Sequence, residues 1–264
     1  MRVNPRWLRV VTISLSVAAL MAPAVSAAAQ QRIVGGEVAD LADHPWMVAL
    51  ISANGYQFCG GALIAPDRVA TAAHCLEEHS ADDILVLGGR SDLSTPADGE
   101  MLTSVSDAVV EHTYERVELG GDLAVLTLAR AFPYATVPVA TERDDELYRP
   151  GRMGTTLGWG RLAENGPSSS ELRRVDLPMV ADRVCAGQFS MVTTDLRYDG
   201  DAMFCAGHFN RGKDSCRGDS GGPFVVDGVL VGIVSWGKGC GERPGYYTRV
   251  STYTALLTES VTEN

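Results

Sequence analysis

The sequence predicts an all-β fold, made of barrels or sandwiches, for most of its length. Short apolar or alternating runs are separated by turn residues such as Pro66-Asp67. In a later segment, Asp227-Gly228 stands between two apolar pairs and supplies the positive-φ residues of a tight hairpin. About 232 residues follow Arg32, which is enough for one large domain or two small ones.

The predicted elements follow one another with little helical periodicity before the end of the chain. In order, the predicted strands are Trp46–Ile51, Gly61–Ile64, Val69–Ala72, Ile84–Leu87, Leu123–Leu128 and the two arms of the hairpin Val225–Leu230. The charged run Glu142–Glu146 predicts a solvated crossing. Near the end, Tyr253, Leu256, Leu257 and Val261 recur at helical spacing after a Ser/Thr cap, which predicts a short packing helix at about 251–262.

The first 29 residues predict a signal peptide. Arg2, Arg6 and Arg9 precede an apolar core from Val10 to Ala22, and small residues allow cleavage after Ala27 or Ala29. That core is too short to span a bilayer stably. We therefore expect a secreted, extracellular protein.

Charge and cysteine content limit the partners and the compartment. The chain has 22 basic and 33 acidic residues, and residues 1–32 contain four arginines and no acids, so the remainder carries a formal charge of −15. An acidic surface disfavours nucleic acid and anionic membranes. The six cysteines predict three disulfides in an oxidising compartment, but they allow 15 pairings between which the residues alone do not choose.

The segment 214–223, Asp-Ser-Cys-Arg-Gly-Asp-Ser-Gly-Gly-Pro, carries the strongest chemical signal. A serine hydroxyl becomes nucleophilic when a base takes its proton and nearby donors hold the oxyanion that forms on the attacked carbonyl. Glycines around Ser220 allow a tight turn in which the amides of Gly218 and Ser220 point at one spot. The segment therefore predicts a nucleophile with its oxyanion hole.

Two other interpretations of this segment exist. Gly218–Gly222 matches the G-x-S-x-G elbow of α/β hydrolases, in which the histidine follows the serine. No histidine follows Ser220, so this interpretation fails. Alternatively, Asp-Ser-Gly-Gly is only a polar turn.

Five further motifs lie between Ile33 and about Val250. These motifs are Ile33–Gly36, Thr71–Cys75, Gly121–Leu128, Gly158–Gly160 and Ser235–Gly237. Together with the Ser220 segment they resemble the trypsin-like, or chymotrypsin-fold, serine proteases, in the family's order of His, Asp and Ser. The resemblance implies two six-stranded antiparallel barrels, at about 33–145 and 146–250, with the active site between them.

The resemblance also implies the catalytic roles. His74 would be the general base, Asp122 the buried acid that orients it, and Ser220 the nucleophile, with the Gly218 and Ser220 amides as oxyanion donors. A histidine beside a cysteine is otherwise a packing residue or a metal ligand, but the remaining histidines offer no ligand spacing, and we predict no metal and no cofactor.

Disulfide pairing and activation are likewise implied by the family. The implied pairs are Cys59 with Cys75, Cys185 with Cys205, and Cys216 with Cys240. Residues 30–32, or 28–32 after the earlier cleavage, would form an activation peptide. Cleavage after Arg32 would free the Ile33 amine to pair with Asp219, so the uncut chain would be a nearly inactive zymogen. In the alternative, Arg32 is an ordinary linker residue.

Asp214 occupies the position at which the trypsin branch carries the carboxylate of its primary pocket, six residues before Ser220. This implies cleavage after Arg or Lys, since a carboxylate in a narrow slot binds guanidinium and rejects neutral side chains. The family implies that the pocket is completed by Ser235, Trp236, Gly237 and Gly245. Taken alone, Asp214 would be a solvated loop charge.

The sequence thus predicts an endopeptidase with protein or peptide substrates, proteinaceous inhibitors as further partners, no nucleic-acid or membrane partner, and a monomeric state. Arg217 and Lys238 depart from the commonest trypsin pattern, which suggests either tolerance of acidic residues around the cut or a solvated pair without effect. Two alternatives stay open: a catalytically silent binding protein of the same fold, and a protease restricted to one protein target.

Overall fold

A computed structural model describes Met1 and residues 34–193, 195–210 and 212–258. The chain divides into two compact units, Met1–Gln30 and Gln31–Asn264, and all that follows concerns the second. The predicted signal and activation peptides, including Arg32, and also Ile33, lie outside the described residues. In the part of the chain that is described, no helix is both long enough and apolar enough to span a membrane.

Thirteen strands and two short α-helices make up the regular structure of the described residues. The strands are β1 (Glu37–Val38), β2 (Met47–Ser52), β3 (Gln57–Ala65), β4 (Arg68–Thr71), β5 (Ile84–Gly88), β6 (Met101–Val110), β7 (Ala124–Leu128), β8 (Met153–Gly158), β9 (Arg173–Pro178), β10 (Met203–Ala206), β11 (Pro223–Val226), β12 (Val229–Trp236) and β13 (Gly245–Arg249). The helices are α1 (Asp182–Phe189) and α2 (Thr254–Thr258).

The strands of residues 34–258 form two β units. The first β unit is a closed, six-stranded antiparallel barrel in the order β2-β3-β4-β7-β6-β5. Its interior is filled by apolar side chains such as Leu50, Leu63, Ile84 and Leu126, all fully buried. Burial of each such side chain stabilises the fold by about 2 kcal/mol. Apolar runs predicted five of the six strands, with boundaries that differ from the observed ones by only a few residues. Strand β6 was not predicted, because most of its residues are exposed or half-buried and form no apolar run.

The second β unit, which apart from β1 follows the barrel in the chain, is an antiparallel sheet in the order β1-β9-β8-β11-β12-β13-β10. A bridge between Met179, just after β9, and Ala206 in β10 joins the two ends of its six-stranded part. The hydrogen bond from Val180 N to Cys205 O, 3.0 Å long, reinforces this contact. The predicted all-β class is confirmed, with a closed six-stranded barrel and a second antiparallel sheet. The resemblance implied six strands in the second barrel, and β1 adds a seventh strand of two residues at the outer edge of β9.

The predicted hairpin is also confirmed. It joins β11 to β12, and its turn residues Asp227 and Gly228 both have positive φ, at 49° and 80°. The charged segment 142–146 lies between β7 and β8, and most of its residues are exposed.

The predicted short C-terminal helix is confirmed, and one further helix is present. The tail forms a 3-10 turn, Val250–Tyr253, followed by α2, and residues after 258 lie outside the described part. Helix α1 was not predicted. Its buried side includes Gln188, whose amide donates to Pro244 O at 2.8 Å, so the apolar periodicity that marks a helix is interrupted there.

Candidate active site

His74 and Asp122 meet because their strands are paired. His74 lies in a 3-10 turn directly after β4, and Asp122 shortly precedes β7. The antiparallel pairing of Thr71 with Ala124 brings the end of one strand beside the start of the other. As a result, His74 Nδ1 lies 2.8 Å from Asp122 Oδ2, and the His74 main-chain N–H donates to Asp122 Oδ1 at 2.9 Å.

Asp122 is held by donors from both halves of the molecule. Its side chain is 1% exposed, and Ser235 Oγ from β12 donates to the same oxygen that faces His74. Thr248 Oγ1 from β13 donates to the Asp122 main-chain oxygen at 2.7 Å. These donors fix the orientation of the Asp122 carboxylate toward His74.

The electrostatics of His74 follow from this contact. Burial by itself lowers the pKa of His74, but the hydrogen bond and the negative charge of Asp122 outweigh burial, and the net pKa is raised above its ordinary value. The Nδ1–H is directed at Asp122, which leaves Nε2 as the free acceptor of the neutral ring. With a side chain that is 21% exposed, the imidazole can exchange a proton with a group in the cleft.

The loop that carries Ser220 is fixed against the first barrel. Gly60 N in β3 donates to Ser220 O at 2.8 Å, and Gly221 N donates to Val234 O at 2.9 Å. Gly221 has φ of 75°, and a Cβ there would lie 2.2 Å from Oγ1 of Thr71, which is three residues before His74. Only glycine allows this approach, which brings Ser220 to the end of β4 that carries His74.

Two main-chain N–H groups near Ser220 are free. Among the described residues, neither the Gly218 N–H nor the Ser220 N–H donates a hydrogen bond. The adjacent carbonyls are occupied, since Arg161 N donates to Arg217 O and Gln57 Nε2 donates to Gly218 O, both at 2.8 Å. Two free donors beside a serine can hold a developing oxyanion.

Asp219 is buried behind the loop. It is 1% exposed and accepts hydrogen bonds from Gly160 N and Cys216 N, both at 2.8 Å. A Cβ on Gly158 or Gly160 would lie within 2.1 Å or 2.5 Å of its carboxyl atoms, which explains both glycines of the Gly158–Gly160 motif. Burial raises the pKa of Asp219 to about 6, and no cation of the described residues pairs with it.

A cavity of about 230 Å³ opens beside Ser220. It is lined by all the predicted pocket residues, namely Asp214, Ser235, Trp236, Gly237 and Gly245, and by the Cys216–Cys240 disulfide. A Cβ on Gly245 would lie 3.1 Å from Asp214 Oδ1, so a side chain there would fill the end of the cavity. Ser235 contributes to the cavity wall as well as to the hydrogen bond with Asp122.

Asp214 lies in this cavity with half of its carboxylate unused. The residue is 2% exposed, and its Oδ2 accepts from Gly241 N at 3.1 Å. Its Oδ1 is buried and, within the described residues, has no hydrogen-bond partner. Burial, together with the negative charges of Asp219 and Glu164, raises the pKa of Asp214 to about 8. A bound cation would satisfy Oδ1 and favour the ionised carboxylate.

The three disulfides pair as the resemblance implied: Cys59 with Cys75, Cys185 with Cys205, and Cys216 with Cys240. The first anchors the turn of His74, and the third forms part of the cavity wall. Cys59 and Cys75 lie near His74, but a disulfide offers no thiolate to a metal ion. In the first barrel, the carboxylate of Glu100 is paired with Arg90.

Sequence reasoning missed three residues of this site. Gln57 contacts the Gly218 carbonyl from 161 positions away, and Thr248 contacts Asp122 from 126 positions away. Glu164 lines the cavity with a buried Oε2. None of the three belongs to a motif, and only the packing of the two β units brings them to the site.

This architecture, a closed six-stranded barrel joined to a second antiparallel sheet with a short C-terminal helix, is the chymotrypsin fold of serine proteases. Comparison with known sequences gives the family. A sequence model of the trypsin family matches residues 33–257. The chain is 39% identical over 231 residues to a trypsin of Saccharopolyspora erythraea, a match that covers 87% of this chain and 98% of that protein.

Animal proteins give similar values. Hypodermin-B of Hypoderma lineatum is 38% identical over 232 residues, covering 87% of each chain. A trypsin of Squalus acanthias is 36% identical over 240 residues, covering 87% of this chain and 96% of that protein. The chain therefore belongs to the trypsin family of serine proteases.

The burial of Asp219 predicts a pH-dependent stability for the intact chain with residues 1–32 attached. Because the pKa of Asp219 rises from 3.8 to about 6 on folding, its contribution is full below about pH 4 and is lost as the pH rises through about 6. The loss is on the order of 3 kcal/mol. Urea unfolding of the Ser220→Ala chain at pH 4.5 and 7.5 gives the total pH dependence, to which the raised pKa of Asp214 also contributes, and a substitution of Asp219 isolates its share.

Asp219→Asn, added to that chain, should reduce the difference between the two pH values by on the order of 2 to 3 kcal/mol. Glu242→Gln is the matched control, because Glu242 is exposed, and it should leave the difference unchanged. An Asp219→Asn chain with the full pH dependence would contradict the prediction.

Proposed function

We propose that this member of the trypsin family is a secreted endopeptidase, made as a zymogen, that hydrolyses peptide bonds after Arg or Lys through an acyl-enzyme intermediate. The observation that carries the proposal is the buried, half-satisfied carboxylate of Asp214 in a cavity beside Ser220. The chemistry uses side chains and main-chain donors of this chain alone.

The reaction begins with proton transfer from Ser220 Oγ to His74 Nε2 as Oγ attacks the scissile carbonyl carbon. Asp122 holds the Nδ1–H and stabilises the imidazolium that forms, a role supported by the 2.8 Å contact. The carbonyl oxygen becomes an oxyanion and accepts from the Gly218 and Ser220 N–H groups. Preorganised donors are effective here because they need no rearrangement when the charge develops.

The intermediate then collapses and the C–N bond breaks. The imidazolium gives its proton to the leaving amine, and the acyl group stays on Ser220 Oγ as an ester. Water attacks this ester with His74 as the base, and a second tetrahedral intermediate releases the carboxylate and restores the serine. Each proton that leaves a nucleophile thus passes through His74.

Specificity for Arg or Lys rests on the cavity. A guanidinium or ammonium that enters it would meet Asp214 Oδ1, which is otherwise buried without a partner among the described residues. A neutral side chain would leave that oxygen unpaired, and the transition state for cleavage of such a substrate would be strongly disfavoured. Gly237 and Gly245 leave room for a long side chain.

Activation is proposed to follow cleavage after Arg32. The new Ile33 ammonium would pair with Asp219, whose two hydrogen bonds come from neutral amides and leave its charge unbalanced. Such a pair acts as a switch, since it would order the loop between Cys216 and Ser220. Arg32 itself fits the proposed specificity, so a mature molecule could cleave a precursor.

Export and partners complete the proposal. The signal peptide at 1–29 and the three disulfides support an extracellular location, where disulfides persist. We propose protein or peptide substrates, proteinaceous inhibitors and a monomeric state. The complete contact network of His74 and Asp122 disfavours a catalytically silent binding protein. Restriction to one protein target is the remaining narrower form of the same proposal.

Matched peptide reporters ending in Arg, Lys, Phe or Ala test the function. We expect hydrolysis of the Arg and Lys reporters only, appearing after cleavage at Arg32 and absent in Ser220→Ala. Silence from a folded chain with the correct new N-terminus would overturn the proposal. Cleavage of the Phe reporter at a similar rate would overturn the specificity alone.

Asp214→Asn isolates the pocket charge. We expect kcat/KM for Arg reporters to fall by at least about 10³-fold, because the guanidinium loses its carboxylate partner. Ser220 should still react with a small phosphonofluoridate at the rate of the unsubstituted enzyme. Equal losses in both measurements would mean that Asp214 supports the catalytic centre and does not select the substrate.

Arg217→Gln tests the hypothesis about acidic residues around the cut. Arg217 is exposed and lines the cavity beside Ser220, and Lys238 is also exposed. If their charges matter, peptides with Asp or Glu next to the cleaved bond should lose their relative kcat/KM in Arg217→Gln, and Lys238→Gln should show which charge dominates. If both variants keep the same preference for acidic residues around the cleaved bond, the two side chains are a solvated pair without effect on substrate choice.

A further inference from the structure

The side chain of Gln57 connects the first barrel to the Ser220 loop. Gln57 is the first residue of β3, and its amide Nε2 donates to Gly218 O at 2.8 Å and to Cys59 O at 2.9 Å. One neutral NH₂ group thus holds two main-chain carbonyls. One of them belongs to its own strand and the other to the residue that supplies a proposed oxyanion donor.

Gly218 lies between two peptide groups that must both be oriented. The peptide before it is held by the hydrogen bond from Arg161 N to Arg217 O, 2.8 Å long. The peptide after it is held through Gly218 O by Gln57. Gly218 itself has φ of 94°, and with no side chain it offers little resistance to rotation. The N–H of Gly218 belongs to the first peptide, which the Arg161 contact holds directly, and the orientation of the second peptide acts on this N–H through the torsions of Gly218.

Gly218 is confined on its other side as well. A Cβ there would lie 3.1 Å from Gly160 Cα, so this glycine cannot be replaced by a stiffer residue without a shift of the loop. The next residue, Asp219, is anchored by its own N–H to Cys216 O at 2.9 Å. Between these anchors, the Gly218 carbonyl has one partner among the described residues, and that partner is Gln57.

We propose that Gln57 is a positioning residue that keeps the Gly218 N–H aimed into the oxyanion hole. This inference rests on the proposed function. Gln57 is not among the residues that line the cavity beside Ser220, and it would act by holding the Gly218 carbonyl.

The chemistry of the side chain explains why an amide suits this position. The amide is uncharged and supplies two donor hydrogens, so it can bind two carbonyls at every pH at which the enzyme works. A carboxylate of the same shape would turn acceptor oxygens toward two carbonyl oxygens and repel both. The charged groups Arg90 and Glu100, which line the same surface cavity as Gln57, are paired with each other.

The first test separates alignment of the oxyanion donors from binding of the substrate cation. An arginine peptide aldehyde forms an adduct whose oxyanion occupies the hole, while benzamidine binds only the cation pocket. In Gln57→Ala we expect kcat and aldehyde affinity to fall by about 10- to 100-fold, with KM and benzamidine affinity changed less than about twofold. Asn54→Ala is the control, since Asn54 lies in the same hairpin and contacts only that hairpin among the described residues.

The second test uses Gln57→Glu, which keeps the shape and makes the donor depend on pH. The ratio of its kcat to that of the unsubstituted enzyme should rise as the pH falls from 8 to 5, because only the protonated carboxyl can donate to Gly218 O. This variant also gives an answer if Gln57→Ala fails to fold. A ratio that is flat with pH, or aldehyde affinity unchanged in both variants, overturns the inference.

The outcomes also separate this inference from the proposed function. If the cleaved, unsubstituted enzyme hydrolyses Arg reporters and both Gln57 variants match it, only the role of Gln57 is wrong. If benzamidine affinity falls as far as aldehyde affinity, Gln57 supports the whole pocket, and the positioning role is wrong. If the unsubstituted enzyme neither hydrolyses the reporters nor binds the aldehyde, both proposals fail.

Discussion

The anchoring of the Ser220 loop to both β units is the constraint on which the site depends. On one side, Gly60 of the first barrel donates to Ser220 O, and on the other, Val234 of the second unit accepts from Gly221. The close approach of Gly221 to Thr71 leaves no room for a side chain. Since both hydrogen bonds join main-chain atoms, the position of Ser220 is determined by how the two β units pack and not by a flexible side chain.

Three buried carboxylates differ in how their hydrogen-bonding capacity is satisfied, and this difference underlies the separate roles that we propose for them. Asp122 accepts hydrogen bonds from the His74 main-chain N–H and from Ser235, and it faces the His74 ring. Asp219 has two amide donors and an elevated pKa, which leaves a cation as its natural further partner. Asp214 lines the cavity, and its Oδ1 has no hydrogen-bond partner in the part of the chain that the structure describes. A buried charge is costly unless it is paired, so the incomplete sites are where a new N-terminus and a substrate would bind most usefully.

Much of this arrangement could be predicted from local patterns. The apolar runs of the first barrel and the Asp227-Gly228 turn follow from periodicity and turn chemistry, and the disulfide pairs follow from the family resemblance. Helix α1 could not be predicted, because its buried face contains the polar Gln188, whose amide donates to a carbonyl 56 residues away. Strand β1 has two exposed residues and exists only because β9 offers an edge.

Local residue patterns were enough to specify the all-β class, the residue types of the proposed chemistry and their order along the chain. His74, Asp122 and Ser220 lie in motifs, because each motif joins a reactive side chain to the local backbone that it needs. Which carbonyl each distant donor reaches depends on the packing of the fold. Gln57 and Gly218 are 161 residues apart, and Thr248 and Asp122 are 126 apart. Such pairs leave no local signal, because a hydrogen bond depends on where two folded units bring its atoms and not on the spacing of residues in the chain.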